Sequence, residues 1–429
     1  MNSNSPRKDK TRTDNVSWVK KLGPGLISGA ADDDPSGIAT YSQAGAQFGT
    51  NMLWTLFFTY PLMVGIQMIS AHIGRVSGQG LAGNIRQHYS RGLLYFVVGL
   101  LLVANTINIA ADLSAMGDAL KLMTGGPSHL YALAFGLFSL VLQIFIPYSR
   151  YVRILKWLTL ALLAYVGTIF VIDISWPEVI SHTVFPQLSW SPAFITTVVA
   201  VFGTTISPYL FFWQASQEVE ELAANPDAKP LRFAYDQARA NLSRIKIDTL
   251  IGMGFSNIVA FFIVLTTAMT LNAHGLTDIR TSAEAASALR PIAGDFAFFL
   301  FGAGIIGTGL LAIPVLAGSA AYAMAGAFQW HDSLEATFSK AREFYGIIGL
   351  STTIGIVFCF MPLDPIKTLY WSAVINGVIS VPIMMVMMMM ATNKNIMGRL
   401  VIGNKLAGLG WLCTLVMTVV VAVMFLTLF

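Results

Sequence analysis

Three consecutive carboxylates, Asp32, Asp33 and Asp34, are followed at once by Pro35, Ser36 and Gly37 inside a small, apolar stretch that runs from LGPGLISGAA to IATYSQAGAQFG. An ionised side chain at mid-bilayer costs about 2.5–3.5 kcal/mol on insertion scales, so an acid there marks a transport path by default. Pro35 removes a backbone N–H and Gly37 loosens the chain, which predicts a helix broken beside the acids. Carboxylates next to carbonyls freed by such a break make a cation site. The bland reading of Asp34 is a partner for helix-terminal N–H groups. A second interruption, Gly203-Thr204-Thr205-Ile206-Ser207-Pro208, falls in a later apolar run.

The elements that must position these residues follow from composition. The chain has 429 residues, of which 55% are hydrophobic and 11% charged. Soluble domains carry roughly 25% charged residues, so the pattern is that of an all-α polytopic membrane protein. The net charge of +4 does not imply nucleic acid, because the basic residues lie in loops between apolar runs. Cys359 and Cys413 both sit in apolar segments, which excludes a disulfide framework and a thiolate metal site. Residues 1–20 are too charged for a cleavable signal and read as a disordered cytoplasmic tail.

Eleven apolar runs are long enough to cross a bilayer, at about 24–45, 52–74, 93–123, 130–148, 152–173, 193–217, 247–272, 293–325, 344–362, 367–391 and 404–428. Alternating them from a cytoplasmic N-terminus leaves only Lys121, Arg280, Arg290 and Lys367 of the 26 Lys and Arg outside, as the positive-inside rule requires. The C-terminus then lies outside, and the membrane is the cell (inner) membrane. Proline-interrupted helices five spans apart point to an inverted five-plus-five repeat with its site at mid-membrane. The repeats are 21–175 and 190–392, with 403–429 an additional helix. The competing reading is that each proline only kinks its helix.

With these residues in place, the chain resembles the Nramp family of divalent-metal transporters. The GPG at 23–25 leading to Asp34-Pro35-Ser36-Gly37 is similar to the family's entry into helix 1 and its Asp-Pro-Gly-Asn. The segment from Gln67 through Ala71, Gly74, Ser77 and Gly78 to Leu81-Ala82 resembles the signature after helix 2. Ala111-Asp112-Leu113 resembles the A-T-D-L of helix 3, and Thr392-Asn393-Lys394 through Met397-Gly398 the polar stop after helix 10. The likeness covers nearly the whole chain. It implies a LeuT-like fold with broken helices 1 and 6, a divalent cation as substrate, no cofactor and no enzymatic activity.

The departures narrow the cargo. Where helix 6 of the family carries Met-Pro-His, this chain has Ser207, Pro208 and Tyr209, with Thr204 at the preceding site position. A thioether suits transition metals, whereas Ser207 offers a hard hydroxyl. The family's helix 1 Asn falls on Gly37. What remains is Asp34, small hydroxyls and backbone carbonyls, a roomy site that resembles the Nramp-related magnesium branch. Mg²⁺ dehydrates reluctantly and binds through one or two carboxylates plus several waters, and Mn²⁺ shares its hard-oxygen preference. Asp32 and Asp33 either attract hydrated cations into the vestibule or ligate them through water; the alternative is that one pairs with a basic residue or is protonated.

The proton path of the family is also thinned. Its helix 6 histidines fall on Tyr209 and Gln214, and a helix 3 acid falls on Ala115. Asp112 remains, as a remnant of that path or a structural pair, and one carboxylate makes no relay. The expectation is therefore uniport, for which a divalent ion gains about 4.6 kcal/mol per 100 mV on entry. Asn376, in helix 10, lies near the family's site-facing polar position. The alternative is a proton-coupled Mn²⁺/Fe²⁺ importer of the ordinary Nramp type. An amino-acid or amine symporter of the same fold is disfavoured because three acids would repel a substrate carboxylate. No HExxH or GxSxG arrangement supports an enzyme. The Met run at 384–390 reads as packing, and the six His show no ligand spacing.

Overall fold

The computed structural model describes residues 24–148, 150 and 157–428, and among these it is helical with no strand. The expected tail at 1–20 and part of the fifth apolar run lie outside the described residues. The long helices are α1 (Pro24–Asp32), α2 (Pro35–Phe48), α3 (Leu53–Ser77), α4 (Arg91–Thr124), α5 (Ser128–Phe145) and α6 (Pro192–Thr205). They continue with α7 (Pro208–Ala224), α8 (Ala238–Thr270), α9 (Ala297–Phe328), α10 (Arg342–Phe358), α11 (Pro365–Ala391) and α12 (Asn404–Leu428). Phe57, Phe96, Leu137 and Leu415 stay exposed on helix faces, an apolar outer surface suited to lipid and not to water.

Both predicted breaks are present, and local chemistry explains them. Asp34 takes the N-cap position of α2 in extended backbone (φ −71°, ψ 171°), and Pro35 opens the helix where its missing N–H has no intrahelical partner to lose. Ser207 occupies the same position before α7 (φ −80°, ψ 130°), with Pro208 as first residue. Each interrupted run therefore restarts at a polar residue followed by proline.

Eight helical stretches among the described residues are long and apolar enough to cross a membrane. The difference from eleven runs has physical causes. A 3₁₀ turn at Gly49–Met52 is all that separates α2 from α3, so residues 35–77 count as one stretch. Helix α10 has 17 residues, and the fifth run holds a 3₁₀ segment at Leu158–Leu162 followed by a six-residue helix at Leu163–Thr168.

The broken helices are held by close backbone contact. A methyl group on Gly29 of α1 would overlap the Gly252 backbone of α8, and one on Gly203 of α6 would overlap the Ala373 carbonyl and Gly377 of α11. Helices α4 and α9 pack along one another on the other side of the break.

Candidate cation-binding site

Asp34 is buried at the gap between α1 and α2. Its Oδ1 accepts the Gly37 N–H at 2.7 Å, which is the N-cap bond of α2. Its Oδ2 accepts from Asn108 Nδ2 of α4 at 2.9 Å and faces the Tyr209 hydroxyl of α7 at 3.5 Å. The Asp34 carboxylate is thus oriented by uncharged donors from α2 and α4, with the Tyr209 hydroxyl of α7 beside it. Gly37 lets α2 come close to the second break: a Cβ there would be crowded, 3.2 Å from Thr204 Oγ1 and 3.3 Å from the Asp32 carbonyl oxygen.

The second break faces this one. Ser207 Oγ lies 2.6 Å from the Thr204 carbonyl oxygen and 3.0 Å from that of Gly203, so its hydrogen is spent on its own helix and its lone pairs are what it can offer a cation. Tyr209 donates to the Ala31 carbonyl at the end of α1 at 3.1 Å. Thr205 donates to Val201 at 2.6 Å and its hydroxyl meets Tyr41 at 3.2 Å, joining α2 to α6.

Asp32 and Asp33 take a different direction from Asp34. Ser256 Oγ of α8 lies 2.7 Å from Asp32 Oδ2 and 2.9 Å from Asp33 Oδ1. The three aspartates therefore do not close into one cage. Among the described residues no group of three His, Cys, Asp or Glu is spaced to hold a metal ion.

Asn376 of α11 donates to Asn108 Oδ1 at 3.4 Å, so an amide chain runs from α11 through α4 to Asp34. Asp112 is fully buried one turn beyond Asn108, on the same face of α4, and neither of its carboxylate oxygens has a hydrogen-bond partner among the described residues. Asn376 Oδ1 and Asp32 Oδ1 are likewise buried and unpartnered. Asn108 was not singled out from the sequence. The available signal was an amide one turn before Asp112 in a 34-residue apolar helix.

No Lys, Arg or His lies within 4 Å of Asp32, Asp33, Asp34 or Asp112 among the described residues, where the ion pairs are made by Arg75, Arg244 and Arg280. The buried acceptors at the break thus face no cationic side chain within 4 Å among the described residues. Their chemistry suits a small, hard, positively charged guest.

Comparison with known proteins gives a consistent picture. The sequence profile described as "Natural resistance-associated macrophage protein-like" matches residues 25–427. A divalent metal cation transporter, MntH, of Klebsiella pneumoniae is 26% identical over 398 residues, covering 91% of this chain and 90% of that protein. The fold is similar to a crystal structure of the Eremococcus coleocola manganese transporter, with a TM-score of 0.71 at 17% identity, covering 96% of this chain and 87% of that one. It is also similar to MhsT, solved in complex with L-phenylalanine, with a TM-score of 0.61 at 14% identity, covering 96% and 99%.

Proposed function

The chain belongs to the Natural resistance-associated macrophage protein (Nramp) family and is an integral membrane transporter of divalent metal cations, not an enzyme; from that premise we propose that its cargo is a divalent ion that keeps most of its water, Mg²⁺ and with it Mn²⁺, moved by alternating access without a coupled proton. The observation that carries this reading is the chemistry around Asp34. One carboxylate, held by Gly37 and Asn108 with the Tyr209 hydroxyl beside it, stands at the break, and the residue at the N-cap of α7 is Ser207 and not a soft ligand. The unsatisfied groups nearby, on Asp112 and Asn376, are acceptors. A hydrated cation presents only donors at its surface, so it satisfies such acceptors without shedding water.

In this reading Asp34 is the direct ligand, and Gly37 contributes its carbonyl or the close approach of α2 to Thr204. Thr204 and Ser207 contribute oxygen lone pairs from the second break. Asp32 and Asp33, engaged by Ser256, supply negative potential and act through water. The matching restarts at Asp34-Pro35 and Ser207-Pro208 support two inverted repeats, 21–175 and 190–392, followed by 403–429. Eleven crossings of the cell membrane then put the N-terminus in the cytoplasm and the C-terminus outside.

The test is uptake of Mg²⁺, Mn²⁺ and Ca²⁺ by the purified protein in liposomes with a pH reporter inside. Mg²⁺ entry without lumenal acidification is the expected result. Metal-driven proton entry would instead favour the proton-coupled Mn²⁺/Fe²⁺ importer, for which the unpartnered Asp112 is the available carrier.

A further inference from the structure

Each proline at a break, lacking an N–H and placed after the chain has already turned out of the helix, leaves the carbonyl four residues before it without that donor. Pro35 does this to Ala31 and Pro208 does it to Thr204. Carbonyls orphaned in this way inside a membrane are strong cation ligands, because they carry a dipole and have no competing N–H. Here neither is left open. The Tyr209 hydroxyl donates to the Ala31 carbonyl at 3.1 Å, and the Ser207 hydroxyl lies 2.6 Å from the Thr204 carbonyl. Both hydroxyls come from the first two positions around the start of α7, Ser207 as its N-cap and Tyr209 as its second residue, and both side chains are buried.

We propose that Tyr209 and Ser207 tune the ion selectivity of the transporter by hydrogen-bonding the Ala31 and Thr204 carbonyls, so that these two oxygens compete less well for the water of a cation at Asp34. This rests on the reading of Asp34 as the cargo site and adds the residues that keep the ion hydrated there. A phenol has one hydrogen to give. With it directed at Ala31, Tyr209 turns only oxygen lone pairs toward Asp34 Oδ2, 3.5 Å away, a second acceptor for the hydrogens of a metal-bound water. Removing the hydroxyl exposes the Ala31 carbonyl and removes that acceptor together. Both changes favour an ion that sheds water readily over one that does not, which is the difference between Mn²⁺ and Mg²⁺.

The experiment uses the full chain in liposomes, with Tyr209→Phe and Ser207→Ala, and reads Mn²⁺ and Mg²⁺ uptake together with Mn²⁺ binding by calorimetry. The expected result is a rise of about five- to tenfold in Mn²⁺ preference over Mg²⁺ for Tyr209→Phe, the effect of one competing hydrogen bond, and a shift in the same direction for Ser207→Ala. Both variants should elute and melt like the parent, since a phenylalanine or alanine fills nearly the same space. A uniform fall in both rates with an unchanged ratio would mean a structural role and would overturn the proposal. Should the parent not carry Mg²⁺ at all, the hydrated-cargo reading fails. The carbonyl argument is then still judged by Mn²⁺ affinity, which must rise in Tyr209→Phe and in Ser207→Ala or the proposal is wrong.

Discussion

Two groups of carboxylates within the helical bundle are handled in opposite ways. Where α3, α7 and α8 converge, Glu218 meets Arg244 at 2.6 Å and Arg75 at 3.9 Å, and Glu221 meets the same two arginines at 2.8 and 3.8 Å. Asp248 lies 4.0 Å from Arg244 and accepts the Gly25 N–H at 2.7 Å. At the break between α1 and α2, Asp32, Asp33, Asp34 and Asp112 have only neutral donors or none. A buried charge needs a partner in low dielectric. The first group carries its partners permanently, as arginines of the fold. In the proposed function, the second leaves that role to the transported ion.

The sharpest break of this contrast is Asp34→Ala, for which uptake of every divalent ion should be abolished while the protein still elutes as folded material. Uptake at the parental rate would show that the second group holds no cargo. Arg244→Ala attacks the first group. It strips Glu218 and Glu221 of their shortest ion pairs, so stability should fall by about 3–5 kcal/mol, read as a lower melting temperature. The metal selectivity of the surviving folded fraction should stay the same. A smaller effect is expected from Asn108→Ala, which removes the donor at 2.9 Å from Asp34 Oδ2. Apparent metal affinity should weaken by about tenfold, the worth of a hydrogen bond to a charged group, with little change in melting. The smallest and most specific change is Ser207→Met, which puts a thioether at the second break. Competition by Cd²⁺ against Mg²⁺ should strengthen several-fold. No change in that competition would remove Ser207 from the site.

The breaks themselves were legible because proline acts locally: Asp34-Pro35 and Ser207-Pro208 each dictate a helix restart whatever surrounds them. The family was legible for a similar reason, since its signatures are contiguous. Asn108 was not, because an amide in an apolar helix has no local mark and its partners, Asp34 and Asn376, are 74 and 268 residues away. The divergence of Asp32 and Asp33 from Asp34 was hidden for the same reason. It depends on Ser256, a single hydroxyl on α8 that no pattern within the acidic run foretells. Run length also misleads where a turn is tight, as at Gly49–Met52.

The contact of Gly29 with Gly252 has a mechanical consequence. With no side chain between the two backbones, and with Gly25 tied to Asp248 one turn earlier, α1 has no cushion against α8 and behaves as a splint fastened along it. The joint at Asp34 is then the nearest place where α1 can bend relative to α2. On the proposed reading of Asp34 as the cargo site, a cation at that joint loads a pivot, and a change of angle there is passed along α1 to α8 as a lever arm.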